Sequence, residues 1–155
     1  MSNDSRQCSA LSGSPQDRIS QLSALAGDYA HTDYVRKVAA MGSLELLLST
    51  VQLLPYKPDP AGVDVVCPPE RTMAEGGDCE DRALLFAAVA KAKGASVQIV
   101  WVEQPGAPQD HVSVKIERNG AWLWADPTVV GARIGEAPAD AAARTGAGGE
   151  RLWRS

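Results

Sequence analysis

The sequence predicts an α+β domain that combines several helices, one of which begins at a cysteine and is buried on most sides, with an antiparallel hairpin. Two observations support this fold class. A nearly unbroken apolar stretch, Ala83 to Ala90, follows the turn Glu75-Gly76-Gly77-Asp78 and the cysteine Cys79, which is typical of a capped and buried helix. Later segments of strand character include Asn119-Gly120, the strongest short-range signal for a hairpin. Further helices are predicted ahead of the central one.

Composition and charge exclude several classes of function. The chain has 155 residues, enough for one domain, and 45% of them are hydrophobic, enough for one core. The net charge of −4 without a basic stripe argues against nucleic acid as a partner. The apolar runs are far shorter than the roughly 20 residues that span a bilayer, so no membrane partner is expected. The first residues lack a basic region followed by an apolar one, which predicts no signal peptide and a cytoplasmic location.

The cysteine count predicts free thiols. There are three cysteines, Cys8, Cys67 and Cys79. An odd number without a secretion signal argues against a disulfide framework. Cys67 is interpreted as a small buried apolar residue, and Cys8 as an incidental residue of a flexible tail.

Three regions are predicted along the chain. Residues 1–16 are polar and serine-rich and are expected to form a flexible N-terminal tail. Residues 17–130 form the folded domain. Residues 131–155 are an Ala/Gly-rich C-terminal extension that is expected to be loosely ordered.

Helical periodicity predicts two helices at the start of the domain. One covers Asp17 to Ala26, and a longer one is capped by Thr32 or Asp33 and runs to about Leu54. The proline-rich segment that follows, Tyr56 to Arg71, is predicted to be loop.

The central helix is predicted from Cys79 to Lys93. Asp78 is placed to cap it, Asp81 is an approximate capping-box partner, and Gly94 suits the position after its end. A buried strand, Val97 to Val102, comes next.

The hairpin brings two polar residues to one face of the sheet. Its strands are His111 to Glu117 and Ala121 to Ala125. With a two-residue turn, Asp126 lies opposite Ser113, one diagonal step from His111. A register shifted by two residues would place Asp126 directly opposite His111, so the two side chains share a face in either case. We expect Asp126 to lie near solvent at the strand end.

Cys79 is the candidate nucleophile. Amide N–H groups at a helix N-terminus stabilise a thiolate and lower the pKa of a cysteine. The negative charges of Asp78, Glu80 and Asp81 work against this effect, so a cationic partner is needed. His111 can be that base, and Asp126 can orient its imidazole. Taken singly, His111 is better explained as a surface histidine, and Asp126 as a turn residue.

The three motifs together resemble those of transglutaminase-like proteins of the papain-type cysteine protease superfamily. The cysteine segment is Gly77-Asp78-Cys79-Glu80-Asp81, the histidine strand is His111-Val112-Ser113-Val114, and the third segment is Trp122-Leu123-Trp124-Ala125-Asp126-Pro127-Thr128. The resemblance covers about residues 33 to 130. The compact form with Tyr56-Lys57-Pro58-Asp59-Pro60 is similar to small bacterial and phage-encoded members.

The resemblance implies a papain-like fold, in which the central helix that carries the cysteine packs on a small antiparallel sheet. It also implies a catalytic triad of Cys79, His111 and Asp126 that attacks amide bonds through an acyl-enzyme. The expected activity is that of a cysteine peptidase or amidase on a protein or peptide substrate, or of a protein-glutamine acyltransferase. The alternative is a catalytically silent binding or assembly protein, such as a virion component that contacts phage structural proteins. In that case the protein would be virion-associated.

Other residues complete the predicted site. Members of the resembled family have a side chain that completes the oxyanion hole, and Gln52 and Tyr56 are the candidates here, with Trp124 as a candidate wall of the cleft. No cofactor and no metal are expected, because Cys79 and His111 alone are too few ligands for a structural zinc site.

Overall fold

A computed structural model describes residues 7–60, 62–103 and 110–146. Their helices and strands, in chain order, are β1 (Ser9–Ala10), α1 (Pro15–Tyr29), α2 (Asp33–Ala39), α3 (Leu44–Gln52), β2 (Val65–Val66), α4 (Pro69–Glu75), α5 (Cys79–Ala92), β3 (Val97–Val102), β4 (His111–Arg118), β5 (Ala121–Trp124) and α6 (Pro138–Thr145). The strands β3, β4 and β5 form an antiparallel sheet in that order, and β1 pairs with β2. The predicted fold class, α+β with a cysteine on a central helix, is confirmed.

The central helix α5 is the axis of the core. Asp78 and Asp81 form a capping box at its start, because each side chain accepts a backbone N–H of the other residue. Its apolar residues, including Leu84 and Phe86, are fully buried. It packs against α1 to α4 and against strands β3 and β4. Burial of each large side chain contributes about 1.5–3 kcal/mol, which fixes the start of α5 against the sheet.

The hairpin has the predicted two-residue register. Arg118 pairs with Ala121, and Lys115 pairs with Trp124. Asn119 and Gly120 have φ values of 53° and 82°, both positive, as a type I′ turn requires. Continuing this register past β5 brings Asp126 level with Ser113.

The long helix predicted up to Leu54 is wrong, because the chain forms the two helices α2 and α3. Ser43 caps the second one, since its Oγ accepts the N–H of Leu46 at 3.1 Å. The segment predicted as loop also contains the strand β2 and the start of α4.

The expectation that the chain lacks disulfides is also wrong. Cys8 and Cys67 form a disulfide, which leaves Cys79 as the free cysteine. Cysteine spacing carries no information about a contact between residues 59 positions apart. Disulfides persist in oxidising compartments, so this bond weighs against the predicted cytoplasmic location.

The two terminal regions are more ordered than the sequence suggests. The expected tail is tied to the domain from Cys8 onward, because β1 pairs with β2 and Leu11 is buried. Residues 1–6 lie outside the described residues. The C-terminal extension contains α6, whose Ala141 packs with Val129 in a small second cluster, and residues 147–155 lie outside the described part. Within the described ranges, no helix is long and apolar enough to cross a membrane.

Candidate active site

His111 and Asp126 form a buried pair. His111 Nε2 lies 2.6 Å from Asp126 Oδ2, and the side chains are 1% and 0% exposed. The structure thus contains the contact that the hairpin register predicts. Because a carboxylate accepts, Nε2 is the nitrogen that carries the proton towards Asp126. This leaves Nδ1 as the ring nitrogen on the side away from the carboxylate.

Asp126 is held by a set of hydrogen bonds that the sequence did not predict. Oδ1 accepts the N–H groups of Thr128 and Val129 at 2.9 and 2.8 Å. Oδ2 accepts the hydroxyl of Ser113 at 2.7 Å. The expectation that Asp126 lies near solvent is therefore wrong, since the chain turns inward after β5. Burial raises the pKa of this carboxyl, but the charge of His111 and these hydrogen bonds outweigh burial and lower the pKa overall.

Gln52 supports the Asp126 segment and is not placed as an oxyanion donor. Its Nε2 donates to the carbonyls of Asp126 and Ala132 at 2.8 and 2.9 Å, which uses both amide hydrogens. Its Oε1 accepts the N–H of Gly131 at 3.1 Å. The amide therefore ties α3 to the chain that follows β5.

Cys79 is the first residue of α5 and is 6% exposed. The expectation of a lowered pKa is wrong: burial raises the pKa of its thiol well above the usual value, and the nearby Asp78 carboxylate raises it further. A hydrogen bond from the Val112 N–H to the sulfur acts in the opposite direction. Burial is the largest influence on this thiol, and it favours the neutral form over the thiolate.

Cys79 lies against the strand that carries His111. The amide that binds the Cys79 sulfur is that of Val112, the neighbour of His111 in β4. The Asp126 carboxylate is also close enough to disfavour the Cys79 thiolate electrostatically. The start of α5 and β4 thus place the Cys79 thiol next to the backbone neighbour of His111 and within electrostatic range of Asp126.

Two carboxyl groups, those of Asp78 and Asp81, form hydrogen bonds at the start of α5, next to Cys79. Asp78 Oδ1 accepts the N–H groups of Glu80 and Asp81, both at 3.1 Å, and Asp81 Oδ2 accepts the N–H of Asp78 at 3.0 Å. Burial and the charge of Asp81 raise the pKa of Asp78 to about 9. Asp81 Oδ1 also accepts the N–H of Cys67 at 2.7 Å, which connects the disulfide to the start of α5.

The buried Arg82 side chain stabilises the turn at Gly77, which precedes Cys79. Arg82 is 2% exposed, and its Nε donates to the Gly77 carbonyl at 3.0 Å. Its other nitrogens donate to the carbonyls of Val51 and Leu54 at 2.9 and 2.7 Å. The ring of Tyr56, a candidate oxyanion donor, stacks on this guanidinium with 5.3 Å to the ring centroid. Arg82 therefore fixes the end of α3 and the Gly77 turn to α5.

A cavity of about 480 Å³ opens above Cys79. Its lining comes from the starts of α1 and α5, from the segment before β2, and from β3 and β4. The lining residues are Arg18, Pro58, Asp59, Gly62, Val63, Asp64, Asp78, Cys79, Glu80, Trp101, Asp110 and Val112. Neither Tyr56 nor Trp124 belongs to this lining, and the Trp124 ring instead stacks on Lys115 at 4.4 Å.

Two overlapping acidic groups have the geometry of a cation site. One consists of Asp59, Asp78 and Asp81, and the other of Asp59, Asp64 and Glu80. Carboxylate oxygens suit hard cations, but such groups also form without one. The expectation that no metal and no cofactor are needed stays a prediction.

Comparison with known proteins supports the fold. No protein-family model and no curated protein matches the chain. A crystal structure from Cytophaga hutchinsonii, described as a "putative cysteine protease", superposes with a TM-score of 0.50 at 16% identity. The match covers 86% of this chain and 52% of the other, so this chain spans about half the length of that protein. At this identity the likeness shows a cysteine protease-like fold and nothing further.

The sequence motifs predict Cys79, His111 and Asp126 as the site but give little information about their surroundings. Ser113 follows from the same hairpin register, since it is the partner position of Asp126. Arg82 had a usable signal, because a charged residue stands at the edge of an otherwise apolar helix. Asp59 and Asp64 had none, since they occupy a proline-rich segment without periodicity.

Proposed function

We propose that the protein is a thiol hydrolase that cleaves amide bonds in peptides or proteins through an acyl-enzyme on Cys79, as a cysteine peptidase or amidase does. The observation that carries this proposal is the buried 2.6 Å contact between His111 Nε2 and Asp126 Oδ2. His111 lies on β4, the strand whose Val112 amide binds the Cys79 sulfur. A nucleophile, a base and a group that orients the base are the three parts that such chemistry needs.

The reaction begins from the neutral thiol. His111 Nδ1 takes the Cys79 proton as the sulfur attacks the carbonyl carbon, and Asp126 stabilises the imidazolium that forms. The imidazolium then gives its proton to the leaving amine, and a thioester to Cys79 remains. His111 next removes a proton from water, which attacks the thioester. The carboxylic acid leaves, and the proton returns to the Cys79 sulfur.

A backbone amide can stabilise the oxyanion. Asp78 accepts the N–H groups of Glu80 and Asp81, whereas the Cys79 N–H has no acceptor in the described part of the chain. At the first position of a helix this N–H points away from the helix and is reinforced by the helix dipole. It is the donor that we assign to the developing oxyanion.

Within the thiol enzymes of this fold, we assign the chain to the transglutaminase-like group. The order of Cys79, His111 and Asp126, and the Trp122 to Thr128 segment that carries the aspartate, support this assignment. Transfer of a glutamine acyl group to an amine instead of water is the related activity. A role with phage structural proteins stays a prediction.

An electrophilic probe tests the proposal. The protein is incubated with a peptide vinyl sulfone, which alkylates activated thiols, and the intact mass is measured. We expect one adduct on Cys79 in the wild type and none within the same time in His111→Ala. Equal labelling of the two proteins, with matching unfolding midpoints, would show that His111 is not the base that activates Cys79. A fluorogenic peptide amide then tests turnover.

A catalytically silent binding protein is the second candidate. The observation that favours it is the burial of Cys79, which together with the nearby Asp78 raises the pKa of its thiol. This candidate predicts no adduct with the vinyl sulfone and no turnover, with Cys79 alkylated only after unfolding.

A further inference from the structure

The cavity above Cys79 is strongly acidic. Five of the described lining residues carry a carboxyl group and one carries a guanidinium: Asp59, Asp64, Asp78, Glu80, Asp110 and Arg18. Because the pKa of Asp78 is raised to about 9, that carboxyl adds little negative charge near neutral pH. A concave site lined by charges of one sign, between walls of low dielectric, focuses the potential and raises the local concentration of the opposite charge. The surroundings of the proposed nucleophile therefore select for positive charge.

Three of these carboxylates converge next to the nucleophile. Asp59, Asp64 and Glu80 each present an oxygen, and these oxygens lie within 4.8 Å of one another. Asp59 is fixed in this position because its Oδ2 accepts the Val65 N–H at 3.1 Å. Glu80 follows Cys79 directly in α5. A cation held by the three carboxylates would therefore lie beside the thiol.

One of these three carboxylates already binds a cation of the same chain. The guanidinium of Arg18 in α1 forms an ion pair with Asp64. Burial raises the pKa of Glu80 to about 7, and the charge of Arg18 opposes this rise. The ion pair shows that this group accommodates a guanidinium at Asp64. The Arg18 side chain is 24% exposed, so it can be displaced or joined by a second cation.

Another part of the lining favours a cation as well. Trp101 lines the cavity, and its Nε1 donates to Asp110 Oδ2 at 2.8 Å. An indole ring is the best aromatic partner for a cation, and the adjacent carboxylate adds negative charge.

We propose that this cavity binds a peptide that carries a lysine or arginine side chain next to the attacked amide bond, with the cation held by Asp59, Asp64 and Glu80. The inference rests on the proposed function, since it assigns a substrate class to the same nucleophile. A guanidinium or ammonium matches carboxylates through charge-assisted hydrogen bonds.

Binding is measured separately from turnover. The Cys79→Ala variant is titrated at about pH 8, where Glu80 is mostly ionised, with fluorescent hexapeptides that contain one central glutamine. The residue before or after the glutamine is lysine, norleucine or glutamate. We expect the lysine peptides to bind about tenfold more tightly than the norleucine peptides, and the difference to shrink as salt is added. Equal affinities, or no binding of any peptide, would overturn the inference.

Variants assign the effect to the carboxylates. Asp59→Asn combined with Glu80→Gln should remove most of the lysine preference and leave norleucine peptides unaffected. Glu117→Gln, an exposed change on β4 outside the cavity, is the matched control and should keep the preference. Arg18→Gln removes the guanidinium that competes with the peptide for Asp64. The affinity for lysine peptides should therefore increase by about threefold. Weaker binding of lysine peptides by Arg18→Gln would contradict the inference. Tighter binding would support it, because a misfolded variant would bind less tightly and not more.

Turnover by the wild type separates this inference from the proposed function. Lysine-selective binding without cleavage would retain the inference and reject the hydrolase. Cleavage of norleucine, lysine and glutamate peptides at equal rates would retain the hydrolase and reject the inference.

Discussion

The two sides of the candidate site differ in how their charges are compensated. On the hairpin side, Asp126 accepts hydrogen bonds from His111, Ser113 and two backbone amides, and its pKa is lowered. On the helix side, Asp78 lies against Asp81 behind the thiol, and both carboxyls have raised pKa values. One side stabilises its negative charge, and the other disfavours it.

This difference indicates which side of the site can activate the Cys79 thiol. The helix N-terminus alone does not ionise Cys79, because burial and Asp78 raise its pKa. In the proposed mechanism the thiolate therefore forms when His111 removes the proton. Substitutions on either side of the site can separate the two contributions, and the loss of the base should have the strongest consequence.

His111→Ala removes the base and should have the largest effect. We expect hydrolysis of a fluorogenic peptide amide to fall by about 10³-fold or more, since general base catalysis contributes up to about 10⁴-fold. His31→Ala, a histidine on the exposed surface between α1 and α2, is the matched control. If activity survives in His111→Ala, the thiol is activated by the helix side alone.

Asp126→Asn removes the charge that stabilises the imidazolium. We expect a loss of about 10²- to 10³-fold in kcat, because the amide can also favour the wrong tautomer of His111. The unfolding midpoint should fall as well, since Oδ1 accepts two buried amides. Asp140→Asn, an exposed change in α6, is the control, and full activity in Asp126→Asn would reduce that residue to a structural role.

Asp78→Asn tests the helix side through the pH dependence of stability. Folded Asp78 holds its proton to about pH 9, whereas an unfolded aspartate has released it by neutral pH. Folding therefore takes up a proton, and the free energy of unfolding should fall by up to about 1.4 kcal/mol per unit as the pH rises from about 7 to 8. Asparagine caps a helix equally well, so the variant should show a flatter profile.

Urea unfolding with the disulfide intact measures this slope at several pH values. If Asp78→Asn and the wild type have parallel profiles, Asp78 is ionised in the folded protein and the contrast between the two sides is wrong.

Ser113→Ala removes one hydrogen bond from Asp126 and should have the smallest effect. We expect a loss of about threefold to tenfold in kcat, since a hydrogen bond to a charged group contributes about 1.5–3 kcal/mol and the other donors remain. The pKa of Asp126 should rise, so the acidic limb of the pH–rate profile should move to higher pH. Ser113→Thr restores the hydroxyl and should restore the profile.

The hairpin side could be predicted from the sequence because its signals are local. Asn119 and Gly120 adopt the positive φ values that their turn requires, and strand alternation then fixes which residues share a face. A two-residue turn at these positions is sufficient to place Asp126 level with Ser113. The capping box of α5 is local in the same sense, since Asp78 and Asp81 are three residues apart.

The helix side could not be predicted because its properties depend on distant contacts. Burial decides the pKa of Cys79, and burial depends on how the helices and the sheet pack around α5. Asp59 and Asp64 reach Glu80 from a segment without periodicity, and the Cys8–Cys67 bond joins residues 59 positions apart. The break between α2 and α3 was missed because both helices present an apolar face to the core, so the pattern continues across Gly42.

The central claim, that His111 connects Asp126 to Cys79, can be tested by NMR of the His111 ring in ¹⁵N-labelled protein. The account predicts a proton on Nε2 with a strongly downfield resonance, because Nε2 donates to Asp126 Oδ2. That resonance should disappear in Asp126→Asn, and alkylation of Cys79 should shift Nδ1 of the same ring. An Nε2 without a proton, or a His111 ring that does not respond to alkylation of Cys79, would contradict the account.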